Sequence, residues 1–219
     1  MVDILNQLEE QMKKLDYAGR DDIDNPASLN KVGVLALQGD FKEHIDILKK
    51  IGVDGVEVRI IKDLKDVYAL IIPGGESTTI ITLMLRTGLF HEIKKKCRNG
   101  MSIYGTCAGA ILLAKEIVNS NLPSLGLIDI SIERNAYGRQ IESFEAEVEV
   151  KDEGMVKGMF IRAPVITKIG KNVEVLAKLN NVVVAARQGR VFVTTFHPEL
   201  AGNVKMHELF LDTVSPSLL

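Results

Sequence analysis

The sequence predicts an α/β domain: a doubly wound, mostly parallel sheet flanked by helices, with a mixed, more antiparallel second half. Three observations carry this. Short continuous apolar runs, such as Val32-Gly33-Val34-Leu35-Ala36-Leu37 and Ala69-Leu70-Ile71-Ile72, read as strands buried on both faces. Segments of helical periodicity alternate with those runs, the pattern of crossover helices between parallel strands. Beyond about residue 141 the spacing shortens, and alternating segments joined by Asn and Gly turns take over.

The elements follow in order. Residues 1–30 stand apart: Leu5, Leu8, Met12 and Leu15 form one narrow apolar seam on a helix, and Gly19–Pro26 is a polar linker. So short a helix is unstable alone and has to pack on something. The expected organisation is a helical extension over 1–30 and one domain over 31–219. The first strand, from Val32, is followed by a helix over 40–51 with Phe41, Ile45, Leu48 and Ile51 on one face, stopped by Gly52. Val56–Ile61 and Ala69–Ile72 read as the next strands. Helices are predicted over 77–87 and 89–97, a buried strand over Met101–Tyr104, and a helix over 108–117. Ile141–Val150, Phe160–Arg162, Val173–Lys178, Val182–Arg187 and Val191–Thr195 read as strands, and 203–213 as a closing helix.

Composition narrows the function classes. The chain has 219 residues, 46% hydrophobic and 26% charged, with a formal net charge of −2. These are globular proportions with no electrostatic footprint for nucleic acid or an anionic membrane. The Lys94-Lys95-Lys96-Cys97-Arg98 cluster sits at a helix end, where cations complement the dipole. Two cysteines exclude a disulfide scaffold and point to a reducing compartment. No apolar run approaches the roughly 20 residues that span a bilayer, and the first residues lack the features of a signal peptide. The expectation is a cytoplasmic protein with no metal and no cofactor of its own.

The sharpest chemical signal is Gly105-Thr106-Cys107-Ala108-Gly109, between a buried strand and a helix. With serine, the same pattern is a nucleophile elbow. Flanking glycines permit a tight turn that presents the nucleophile at the carboxyl end of the sheet. The helix N-terminus favours thiolate, and the Ala108 N–H faces a developing oxyanion. The plainer reading, a small buried core cysteine, fits this strand–turn–helix setting less well. A cysteine nucleophile needs a base. His197 follows the strand ending at Phe196, and Glu199 lies two residues on, on the same side of an extended backbone. There it can hold the imidazole in one tautomer. His44, His91 and His207 fall in amphipathic helical segments and are expected at the surface. Pro73-Gly74-Gly75-Glu76-Ser77-Thr78-Thr79 is a third loop directly after a strand. Its glycines bring backbone N–H groups to a ligand, and one of them can complete an oxyanion hole. A phosphate loop is excluded because no Gly-Lys-Ser/Thr or G-x-G-x-x-G occurs. A simple strand-to-helix turn stays open.

In this order, the Pro73–Thr78 loop, the Gly105–Gly109 elbow and the His197-x-Glu199 pair resemble class I glutamine amidotransferases. More narrowly, the chain is similar to the glutaminase subunits of pyridoxal 5′-phosphate synthase, the PdxT family. The matching segments are Leu37–His44, Pro73–Thr79, Gly105–Gly109, Glu133–Gln140, Phe160–Pro164 and Thr195–Leu200. The resemblance spans roughly Val32–Leu211, with residues 1–30 outside it. It implies a flavodoxin-like three-layer fold, with Cys107 as nucleophile, His197 as general base and Glu199 as its orienter. It further implies that Gly75 and Ala108 supply the oxyanion hole. Gly75, Glu76, Ser77, Arg134, Ile161 and Arg162 would hold L-glutamine, and the partner would be a PdxS-type synthase subunit that receives the ammonia. The alternatives are an amidotransferase of another pathway, a cysteine hydrolase of the same fold, and a scaffold without activity.

Overall fold

The computed structural model of the chain describes residues 31–134, 143–212 and 214. The predicted extension over 1–30 and the Asn135–Gln140 segment lie outside the described residues. The element order is β1 Lys31–Leu35, α1 Phe41–Lys50, β2 Gly55–Val58, a 3₁₀ turn Ile61–Leu64, β3 Val67–Ile72, α2 Ser77–Thr87, α3 Leu89–Arg98, β4 Ser102–Thr106, α4 Ala108–Leu113, β5 Ala114–Val118, β6 Ile128–Glu133, β7 Phe144–Val150, β8 Gly154–Phe160, β9 Val165–Ile169, β10 Glu174–Leu179, β11 Val182–Gln188, β12 Val191–Thr194 and α5 Lys205–Asp212.

Nine strands form one sheet in the order β2-β1-β3-β4-β12-β11-β10-β7-β8. The strands from β2 to β12 pair in parallel, and those from β12 to β8 pair antiparallel. The parallel strands are apolar throughout because both faces are covered. Val32, Val34, Ala69, Ile71, Tyr104 and Phe192 pack with Leu48 of α1 and with Met206 and Phe210 of α5. The alternate residues Leu35, Leu70, Ile72, Ile103 and Val193 pack on α2, α3 and α4. That alternation is the pleat, and it produces the predicted doubly wound three-layer arrangement. Among the described residues, no helix is long and apolar enough to cross a membrane.

Several predicted elements are corrected. The helix expected over 108–117 ends at Leu113. Ala114 turns to extended backbone, and β5 pairs with β6. With β9 these build a second, three-stranded sheet, β5-β6-β9, which closes the core through Ile117, Ile128, Ile130, Ile132 and Ile166. The strand expected over Val56–Ile61 stops at Val58. The Asp63 carboxylate accepts from the Arg59 and Ile60 N–H groups at 2.8 and 3.0 Å and bends the chain into the 3₁₀ turn. The short strand expected over Phe160–Arg162 is instead the end of the longer β8, and Arg162 leaves it at φ 45°.

The switch in strand order falls between β1 and β3, which cross over to opposite sides. Crevices at the carboxyl ends of strands flanking such a switch are where open α/β sheets bind ligands. The loops after β1, β3, β4 and β12 converge there.

Candidate active site

Cys107 joins β4 to α4 at φ 46° and ψ −101°, a positive-φ conformation that a non-glycine residue adopts only under local strain. Two glycines make that turn possible. A Cβ on Gly109 would lie 2.0 Å from the Ile72 carbonyl oxygen, and one on Gly105 would lie 2.6 Å from the Gly109 backbone. The Cys107 N–H donates to the Thr194 carbonyl at 2.8 Å, which ties the turn to the end of β12. The thiol points at the Ile161 carbonyl oxygen, 3.8 Å away. Because α4 has only six residues, its dipole is a smaller aid to the thiolate than the longer predicted helix implied.

His197 lies just beyond β12 and is held by a backbone pair with Met159 at the end of β8. His197 N–H donates to the Met159 carbonyl at 2.8 Å, and the Met159 N–H returns a bond at 3.1 Å. The imidazole Nδ1–H donates to Glu199 Oε1 at 2.7 Å. Both side chains are buried. Burial alone pulls the His197 pKa down. Hydrogen bonds to the Cys107 thiol and to Glu199 outweigh it and raise the value to about 10. Burial pushes the Glu199 carboxyl up, and the neighbouring imidazole opposes that shift. His197 is thus bonded to Glu199 at Nδ1 and interacts electrostatically with Cys107.

The Pro73–Thr79 loop lies against this chain. Gly74 has no room for a side chain, because its Cβ would sit 2.1 Å from the His197 ring. Its N–H donates to Thr106 Oγ1 at 3.0 Å, and its carbonyl accepts from the Asp40 N–H at 3.2 Å. The Glu76 N–H donates to Gln38 Oε1 at 2.7 Å. Glu76 caps α2 by accepting from the Thr78 and Thr79 N–H groups, and these bonds hold its carboxyl below its usual value although burial raises it. Arg134 closes one side, with Nη2 3.5 Å from Glu76 Oε1 and 3.4 Å from Thr78 Oγ1. Ser77 is buried at the start of α2. Ile161 meets the thiol, and Arg162 is exposed beside it. Gly75 and Ala108 head the two loops, at φ 150° and at the first residue of α4.

Sequence reasoning misplaced two histidines. His44 and His207 are fully buried behind Glu199, whereas His91 is exposed as expected. It also assigned no role to Asp40 or Thr106. Asp40 Oδ2 lies 3.4 Å from His197 Nδ1. Its position one residue before α1, at the carboxyl end of β1, was the available signal. Ligand atoms of Asp40, His197 and Glu199 lie within 4.8 Å of one another. A cation there would have to displace the proton that His197 Nδ1 shares with Glu199.

The profile of the SNO glutamine amidotransferase family matches residues 34–216. The PdxT subunit of pyridoxal 5′-phosphate synthase from Pelotomaculum thermopropionicum is 52% identical over 83% of this chain and 94% of its own length. A PdxT subunit from Thermus thermophilus is 50% identical over 83% of this chain and 96% of its own. A crystal structure of a glutamine amidotransferase, 50% identical, superposes with a TM-score of 0.81 and covers 84% of this chain and 98% of that one. The PurLQS structure from Thermotoga maritima, 20% identical with a TM-score of 0.62 over 84% of this chain and 98% of that one, shares the fold. The chain belongs to the SNO glutamine amidotransferase family.

Proposed function

We propose that this chain hydrolyses L-glutamine to L-glutamate and ammonia through Cys107, His197 and Glu199, and supplies the ammonia to a pyridoxal 5′-phosphate synthase subunit of the PdxS type. The observation that carries the reading is the meeting of a strained cysteine turn and a buried histidine–carboxylate pair at the ends of adjacent parallel strands, β4 and β12. The Cys107 thiolate attacks the glutamine amide carbon. The oxyanion is received by the N–H groups of Gly75 and Ala108. His197 gives its proton to the leaving ammonia, then takes one from the water that opens the thioester. Glu199 holds the imidazole in the tautomer that faces the sulfur.

Glutamine carries an α-carboxylate and an α-ammonium group. Arg134 and Arg162 are the cations beside the site, and Glu76, Ser77 and the Ile161 carbonyl supply acceptors. The synthase partner follows from the names of the relatives that match most of this chain. The same reading makes 31–219 the amidotransferase domain, 1–30 an extension outside it, and the cytoplasm the place of action. The test is steady-state glutamate release with and without a pyridoxal 5′-phosphate synthase subunit. Release that rises with that subunit, and not with the synthase of another amidotransferase, supports the assignment. Equal response to both assigns the chain to another pathway.

A further inference from the structure

Behind Glu199 lies a buried polar chain that the proposed reaction does not use. His44 on α1 and His207 on α5 are both fully buried, with His44 Nδ1 2.8 Å from His207 Nε2. On its other side, His44 Nε2 lies 3.2 Å from Thr106 Oγ1 and 3.5 Å from Glu199 Oε1. Two helices from the same face of the sheet thus send one histidine each to the back of the site. Burying two imidazoles costs free energy unless they are bonded, so their placement calls for a reason.

The direction of the chain follows from its far end. Burial holds both rings neutral: it lowers His207 to about 3, and it lowers His44 well below the ordinary histidine value, with the nearby His207 and His197 further opposing a positive charge on His44. Two neutral rings share a single proton between His44 Nδ1 and His207 Nε2. If His44 donated it, His207 would carry its own proton on Nδ1, a buried atom without a hydrogen-bond partner among the described residues. An orphaned buried N–H is costlier and rarer than an orphaned lone pair. The His207 Nε2–H therefore donates to His44 Nδ1, which leaves the His44 proton on Nε2, facing Thr106 Oγ1 and Glu199 Oε1.

We propose that His207 and His44 form a one-way hydrogen-bond relay whose terminal N–H faces the Glu199 carboxylate, making His44 a positioning residue for the His197 base. The inference rests on the Cys107–His197–Glu199 reading above. Glu199 needs such support, because burial favours its protonated form. A donor behind it keeps the carboxylate ionised and aimed at His197 Nδ1. Thr106 belongs to the same arrangement, since its hydroxyl also accepts the Gly74 N–H and so links the relay to the Pro73–Thr79 loop.

The test is a double-mutant cycle on glutamate release, with the synthase subunit present. His44→Leu removes the donor, and His44→Gln keeps an amide N–H on a side chain of similar reach. His44→Leu lowers kcat about 10- to 100-fold, as loss of an outer hydrogen-bond partner typically does, and moves KM less than about twofold. His44→Gln recovers most of that loss. In a Glu199→Gln background, His44→Leu costs almost nothing further, because the group it served is gone. An equal loss in both backgrounds, tracking the melting temperature, overturns the relay. Nitrogen-15 NMR of the wild-type histidines needs no variant: a proton on His44 Nε2 supports the proposal, and one on Nδ1 defeats it. An inactive Cys107→Ala beside a fully active His44→Leu sinks the relay alone, whereas an active Cys107→Ala sinks the site reading.

Discussion

Cys107 and His197 sit at the ends of neighbouring parallel strands, but they are held there by opposite means. Cys107 is placed by its own turn: a strained φ, and two glycines packed against backbone within van der Waals distance. His197 carries no such strain. It is placed by a long-range backbone pair with Met159 on β8, and its ring is oriented by the Glu199 carboxylate two residues on. A nucleophile fixed by local geometry tolerates little change in its immediate neighbours. A base fixed by long-range bonds is sensitive to changes many residues away. Variants of the two regions should therefore fail differently.

The largest expected effect is at the nucleophile. Cys107→Ala should lower glutamate release by at least about 10⁴-fold with the fold intact, since triad losses reach that order. Cys107→Gly, equally inactive, should melt higher than Cys107→Ala by about 1 kcal/mol of stability, because glycine relieves the positive φ. Equal melting temperatures would mean that the turn stores no strain. Next come the base and its partner. His197→Asn should cost about 10³- to 10⁴-fold in kcat, and Glu199→Gln clearly less. Equal losses would mean that the roles are wrongly divided.

Smaller effects separate the two means of support. Gly109→Ala forces a Cβ onto the Ile72 carbonyl, which is backbone and cannot move aside, so stability should fall by about 1–3 kcal/mol or more in urea titration. For Gly158→Ala the nearest atoms all belong to the Phe196 ring, the first at 2.3 Å. A shift of that side chain would be passed to the adjacent His197, so this variant should lose kcat out of proportion to stability. The reverse ranking would mean that the two residues are not held by different means.

The effects on pH dependence carry opposite signs at the two histidines. His197 is raised to about 10 in the folded state. Its contribution to stability is full below its unfolded value near 6.5 and is lost as pH rises towards 10. His207 is lowered to about 3. Its contribution is present above about 6.5 and is lost as pH falls towards 3. Thermal melts of His197→Asn should flatten the alkaline side, and those of His207→Leu the acid side. No change of slope on either side would contradict the assigned environments.

The same contrast governs what could be read in the chain beforehand. Parallel strands buried on both faces announce themselves as apolar runs, and the Gly105–Gly109 turn is written in five adjacent residues. The second sheet was harder. Ile128-Asp129-Ile130-Ser131-Ile132 alternates cleanly, a strand signal that the predicted elements omit and that the structure shows as β6. β5 offers less, because it follows α4 without a break and only its pairing with β6 marks where the helix ends. His44 and His207 lie on helices with one polar and one apolar face. No local rule says that a histidine on such a helix points inward, since its partners are 62 and 163 residues away.

Everything proposed for the site depends on Cys107, and not the other thiol, being the nucleophile. The direct measurement is mass mapping after treatment with an electrophilic glutamine analogue, with the synthase subunit present. Cys97 is half-buried near the end of α3, and burial raises its thiol above the usual value despite Arg98. Cys107 has His197 beside it. Stoichiometric label on Cys107, protection by glutamine, and no label on Cys97 are expected. Label on Cys97, or label on Cys107 that glutamine does not prevent, would overturn the assignment.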